Sequence, residues 1–203
     1  MTVAHRAVAA RAAAVLLRYP DPDVLATLPT LRAAIAELPD PLRTPLASVA
    51  EHYAGTSPAT LTASYVDTFD FRRRFSLYLS YYPHGDTRAR GAALVAFGAA
   101  YRAAGLVIDG GELPDYLPAV LELAAIGGEP GWRLLREHRV GIDLLHAALA
   151  KENSAWLPAI QAVGRLLPPT DRAALAAAAR LAAGGPPAEL VGLVPYPVPG
   201  GVR

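Results

Sequence analysis

Read for the spacing of its apolar positions, the chain is a succession of short amphipathic helices. Over residues 3–18, Val8, Ala12, Val15, Leu16 and Tyr19 recur at helical spacing, as a core-facing stripe does. Tyr19-Pro20-Asp21-Pro22 ends that run, because two prolines remove backbone donors and force an extended exit. Two small helices are expected at 23–28 and 31–38. A fourth, over 42–55, carries Leu46, Val49 and Tyr53 and can stop at Gly55 in the left-handed conformation. Ser57-Pro58 then reads as an N-cap followed by proline at the first helical position, and Leu61, Tyr65 and Phe69 continue with a step of four.

The next segment carries two patterns at once. Phe75, Leu77, Leu79 and Tyr81 alternate with Ser76, Tyr78, Ser80 and Tyr82, which is the period of a strand, whereas Phe71, Phe75, Tyr78 and Tyr82 fit a helix. No other stretch offers a convincing strand, and a lone strand leaves its backbone groups unpaired, so a helix is expected. Pro83-His84-Gly85 breaks it, Asp86 is placed to cap the next helix, and Thr87 begins its first turn. That helix shows Leu94, Phe97 and Tyr101 on one stripe, with Gly91, Ala92, Ala96, Gly98 and Ala99 small enough to let neighbours approach, and Gly105 closes it.

A loop through Asp109-Gly110-Gly111 leads to Leu113-Pro114-Asp115 and a helix marked by Leu117, Val120, Leu121 and Ala124, with Pro118 early enough to be tolerated. A long helix over 131–150, one over 156–167 capped by Ser154, and one over 171–183 capped by Thr170 complete the series. Residues 184–203 hold five prolines and five glycines, so no helix can persist there. The pattern predicts an all-α fold: a single compact bundle of about ten helices over 1–183, followed by a Pro/Gly-rich tail over 184–203.

Composition narrows the function more than the fold. With 53% hydrophobic residues the 203-residue chain can bury a substantial core. A net charge of +1 supplies no global field to draw it onto nucleic acid or anionic lipid. Cysteine is absent, which removes disulfides, thiolate metal sites and cysteine nucleophiles. The alanine-rich start lacks a cleavage pattern and no apolar run approaches the roughly 18 residues of a membrane span, so a cytoplasmic location without stable membrane insertion is expected. His138 and His146 are eight apart, too far for a ligand pair of the usual spacing, and no metal site is expected.

Chemistry-bearing residues concentrate between Tyr65 and Pro118. Asp67, Asp70 and His84 could serve acid/base or metal-dependent hydrolysis, or ligand binding, but no phosphate loop, nucleophile elbow or paired-ligand helix accompanies them, so caps and solvated faces are the simpler reading. Arg72, Arg73, Arg74, Arg88 and Arg90 could grip a phosphate. Consecutive arginines on a helix diverge, however, and pairing with Asp67, Asp70 and Asp86 is expected instead. The aromatics Tyr65, Phe69, Tyr78, Tyr81 and Tyr82 exceed what one narrow stripe buries, which suggests either a central helix or a groove for an apolar partner.

Three blocks in fixed order carry a family resemblance: Tyr65-x-x-x-Phe69-Asp70; Leu77-Tyr78-Leu79-Ser80-Tyr81-Tyr82 with Gly85-Asp86-Thr87-Arg88-x-Arg90-Gly91; and Glu112-Leu113-Pro114-Asp115-Tyr116-Leu117-Pro118-x-x-Leu121-Glu122. Together they resemble the NarJ-type assembly chaperones of respiratory nitrate reductase, over residues 8–167. The resemblance implies an all-helical, non-enzymatic binder with no cofactor of its own. It would hold the N-terminal peptide of the reductase catalytic subunit while molybdopterin guanine dinucleotide is inserted. The peptide-binding residues it points to are Tyr65, Phe69, Asp70, Tyr78, Tyr81, Tyr82, Asp86, Arg88, Arg90, Pro114, Asp115 and Tyr116, with Asp70, Asp86 or Asp115 meeting basic groups of the peptide. Tyr116 stands where many relatives carry histidine, so a titrating imidazole is not expected at that position.

Overall fold

Helix α1 (Val3–Leu16) is the element around which the others pack. In the computed structural model, which describes residues 2–85, 87–108, 111–173 and 175–176, α1 lies against α3 (Leu28–Ala36), α4 (Arg43–Gly55), α8 (Leu117–Ile126) and α11 (Leu157–Leu166). Ala9, Ala10, Ala12, Ala13, Ala14 and Leu16 are all essentially inaccessible, so the buried surface is wider than the expected stripe. Small side chains let neighbouring backbones come close on several sides of one helix. Val8 and Tyr19, expected within the stripe, stand at the surface, with 37% and 45% of their area exposed.

The remaining elements are α2 (Pro22–Ala26), α5 (Pro58–Phe69), a 3₁₀ turn (Arg73–Phe75), α6 (Tyr81–His84), α7 (Arg88–Ala103), α9 (Glu129–Glu137) and α10 (Arg139–Lys151). Eleven α-helices and no strand occur among the described residues, in agreement with the expected all-α class. Local chemistry sets several boundaries, the one at Ser57 as read and the one at Asp21 ahead of the expected 23–28 helix. Asp21 accepts from the Val24 amide to start α2, Ser57 accepts from Thr60 to start α5, and prolines stand in the first turn of α2, α3, α5, α8, α9 and α11.

Several expectations are corrected. Residues 75–82 are not one helix. After the 3₁₀ turn the chain is extended and forms a single antiparallel bridge, Tyr78 to Tyr116, in which the Leu79 amide donates to Asp115 O (2.9 Å) and the Leu117 amide to Leu77 O (2.7 Å). The alternation was structural: Phe75, Leu77, Leu79 and Tyr81 are buried. The partner is only a few residues of loop, too short to show a pattern of its own.

The helix expected over 131–150 turns at His138. One part, α9, then packs along α8 and the other, α10, along α11. The α8–α9 contact depends on glycine, and Gly141 on α10 faces α6 instead. A Cβ on Gly131 would lie 2.3 Å from the Ala124 backbone nitrogen, and one on Gly141 would lie 3.0 Å from the Tyr82 ring. On α7, Gly91, Ala92, Ala96 and Ala99 are exposed rather than tucked against a neighbour, and Thr87 is the N-cap residue rather than part of the first turn. Gly55 ends α4 without positive φ. The Asp86 cap, most of the 171–183 helix and the 184–203 tail lie outside the described residues.

Candidate functional site: a cleft beside α8

The tyrosines gather at the C-terminal end of α1, where a helix leaves carbonyls without partners. Tyr53 donates its hydroxyl to Leu16 O and Tyr65 to Leu17 O, both at 2.9 Å, while the Trp156 indole donates to Tyr53 (3.0 Å). Around Tyr65 the rings of Tyr19, Phe69 and Trp156 lie at 5.5, 4.7 and 5.7 Å. Tyr65 and Phe69 are therefore core, and the first acts as a cap for α1. Next to them, Tyr65 and Tyr116 hydroxyls meet at 3.2 Å, and the Tyr116 ring packs on Tyr78 at 5.5 Å.

Asp115 ties the extended segment to the start of α8. Its side chain is wholly buried, and one carboxylate oxygen accepts from the Ser80 amide (3.1 Å) and hydroxyl (2.6 Å), with the Arg90 guanidinium 3.7 Å away. Arg90 also donates to the Ser80 hydroxyl and lies over the Tyr78 ring. The expectation that Asp115 meets a bound peptide is corrected on this ground, because a carboxylate with no exposed surface holds the loop together instead.

The other expected residues separate in the same way. Tyr81 is buried, and Tyr82 turns its hydroxyl back to Ser76 O (2.9 Å). Tyr78, Arg90, Pro114 and Tyr116 are half-buried, Asp70 and Arg88 are exposed, and Asp86 lies outside the described residues. Burial pushes the Tyr65, Tyr78, Tyr82 and Tyr116 hydroxyls above their ordinary value, Tyr116 to about 12, so each carries its proton at neutral pH. Of the residues named for hydrolysis, Asp67 pairs with Arg72 (3.1 Å), Asp70 ends α5 and His84 ends α6. No cluster of His, Asp or Glu able to hold a metal ion occurs among the described residues. Arg72 and Arg74 both reach Glu152, a partner not foreseen from the sequence because it lies on the far end of α10.

What the structure adds is an open cleft of about 380 Å³ bounded by the exit of α1, the α7–α8 loop and one face of α8. Tyr116, Pro118, Ala119 and Leu123 line it within the fold, while Tyr19, Val107 and Ile126 line it from the surface, the last two 89% and 63% exposed. Its polar lining is Asp21, Glu112, Glu122 and Tyr101 with one arginine, Arg18. An apolar channel with more acids than bases suits an amphipathic segment that carries positive charge. Of the expected residues that are described, only Tyr116 lines it. Val107 and Ile126 gave no periodic signal, since one sits in a loop and the other at the last position of its helix.

A family model described as nitrate reductase delta subunit matches residues 35–162, more than half of the chain. The chain belongs to the nitrate reductase delta subunit family. Among its curated relatives, the probable nitrate reductase molybdenum cofactor assembly chaperone NarJ of Bacillus subtilis is 37% identical over 158 residues, covering 77% of this chain and 86% of that protein. The nitrate reductase molybdenum cofactor assembly chaperone NarJ of Escherichia coli K12 is 35% identical over 145 residues, 70% of this chain and 61% of that protein. The nitrate reductase-like protein NarX of Mycobacterium tuberculosis H37Rv is 40% identical over 154 residues, 75% of this chain, and the chain spans only 23% of that longer protein. The delta-subunit match contains the Ser80–Asp115 tie and all of the cleft lining contributed by α7, α8 and the loop between them, but not α1. No helix among the described residues is long and apolar enough to cross a membrane.

Proposed function

We propose that this delta-subunit family member is an assembly chaperone for a respiratory nitrate reductase. It binds the N-terminal region of the catalytic subunit in the cytoplasm and assists molybdenum cofactor insertion before that subunit is committed to its complex. The observation that carries the reading is the 37% identity extending through 86% of the Bacillus subtilis NarJ protein, whose name states that role.

The cleft beside α8 supplies a physical basis. Its apolar lining offers the desolvated contact on which affinity for a helix depends, and the exposed Glu112 offers charge to basic residues on the helix flank. This moves the docking surface from the Tyr65–Tyr82 segment, whose rings are mostly spent on the core, to Tyr116, Ile126, Val107 and Tyr19. Calorimetric titration of the protein with a synthetic peptide of the catalytic subunit's N-terminus is the test. Saturable one-to-one binding in the micromolar range or tighter is expected; no heat and no binding by a second method at high micromolar concentration overturns the reading.

A further inference from the structure

Proton bookkeeping along one chain of hydroxyls gives the cleft a polarity. Leu17 O is a carbonyl and can only accept, and it sits 2.9 Å from the Tyr65 hydroxyl in the core. Tyr65 has one hydroxyl proton. Leaving a buried helix-terminal carbonyl unpaired is costly, so that proton goes to Leu17 O. The Tyr65 oxygen, 3.2 Å from the Tyr116 oxygen, must then accept, and Tyr116 is the donor between the two. Tyr116 in turn lines the cleft with its own proton already spent. What its oxygen has left is lone-pair capacity.

We propose that Tyr116 is a specificity-determining residue of the cleft. Its hydroxyl, held as a donor toward Tyr65, offers the occupant only an acceptor and so selects a segment that places a lysine or arginine against it. Glu112 lines the same cleft and favours the same positive group, while Glu122 is paired with Arg11 (3.1 Å), Asp21 caps α2, and Arg18 opposes that group. Tyr65, which touches no occupant, acts as a positioning residue: it sets the direction of the Tyr116 hydroxyl from below. An occupant presenting a carboxylate or carbonyl at that point would face lone pairs and acids together, which is discrimination by an unmatched polar contact.

The inference rests on the chaperone reading, and its test separates the two. The full chain, Tyr116→Phe and Tyr65→Phe are titrated with the catalytic subunit's N-terminal peptide and with versions in which each lysine or arginine is replaced singly by norleucine. For the unaltered protein, one replacement is expected to weaken binding about tenfold, the scale of one hydrogen bond to a charged group. In Tyr116→Phe the parent peptide should bind about tenfold more weakly and the same replacement should no longer matter. In Tyr65→Phe the Tyr116 proton is released, and the preference for the basic residue should shrink while apolar affinity stays. Melting curves check that both variants are folded.

Absence of binding by the unaltered protein overturns the chaperone reading and the inference with it. Binding with an unchanged lysine or arginine preference in Tyr116→Phe, or full preference in Tyr65→Phe, overturns the inference alone.

Discussion

Two clefts of nearly equal size among the described residues, about 380 Å³ beside α8 and about 370 Å³ between α10 and α11, differ in what their polar groups are already doing. In the second, Arg139 gives its Nε proton to Asp143 (2.9 Å) and one terminal nitrogen to Gly164 O and Pro168 O (both 2.9 Å). Asp143 also receives the Thr170 hydroxyl, and Arg165 reaches Pro41 O. Its charges are occupied in fastening the end of α11 to α10. The cleft beside α8 has exposed apolar side chains in Val107 and Ile126, an exposed Glu112 and a tyrosine oxygen with acceptor capacity left. Volume alone does not mark a binding site; surface and hydrogen-bonding capacity not already consumed by the fold do.

The contrast breaks most severely at Asp115. Asp115→Ala removes the acceptor shared by the Ser80 amide and hydroxyl and the neighbour of Arg90, at a cost of about 3 kcal/mol or more. At this chain length that lowers the melting temperature by roughly 10 °C, read by circular dichroism. A change of less than about 2 °C would show that the tie does not hold the loop.

A binding effect of comparable size is expected at the cleft rim. Ile126→Glu should reduce peptide affinity at least tenfold by wetting the apolar lining, while the melting temperature stays put because the residue is already exposed. The mirror-image variant is Arg139→Ala. It should cost about 1 kcal/mol of stability through lost hydrogen bonds to Gly164 O and Pro168 O and leave peptide affinity unchanged. If Arg139→Ala also abolishes binding, the two clefts are not independent.

The smallest effect concerns pH. Burial holds the His138 imidazole below its ordinary value, with a ring nitrogen 3.0 Å from Leu134 O and the ring packed on Phe97. The unfolded chain takes up a proton below about 6.5, the ordinary histidine value, while the folded one resists it. The stability this group contributes is therefore present above about pH 6.5 and is lost as pH falls through the lower folded value. His138→Gln should flatten the acid side of the stability curve measured by urea unfolding between pH 7 and 5.

The helices with chemical punctuation could be read directly. Ser57-Pro58 starts its helix where the sequence says, and Pro118 stands in the first turn of α8 where it is tolerated, because caps and prolines act within a few residues. The turn at His138 carries no such mark, since neither glycine nor proline stands there, and it exists because α8 and α11 demand different directions of one stretch of chain. The extended segment 76–79 was announced by its alternation and lost because its partner, next to Asp115, spans too few residues to alternate.

The site was less visible. Tyr65, Phe69 and Tyr81 belong to the right neighbourhood but are consumed by packing, and only Tyr116 connects that neighbourhood to an open surface. The exposed positions that shape the cleft, Val107 and Ile126, are single apolar residues from different elements, and nothing but the fold brings them together.

The central place of α1 has a consequence for dissecting the protein. The stretch matched by the family model, residues 35–162, omits α1 altogether, yet α4, α8 and α11 all close upon it and Tyr53 and Tyr65 spend their hydroxyls on its last carbonyls. A fragment trimmed to residues 35–162 would lose its hub and expose the apolar faces of three helices at once. The family-model match and the cooperative unit are thus different lengths of the same chain, and the boundary between them falls in the last turn of α3.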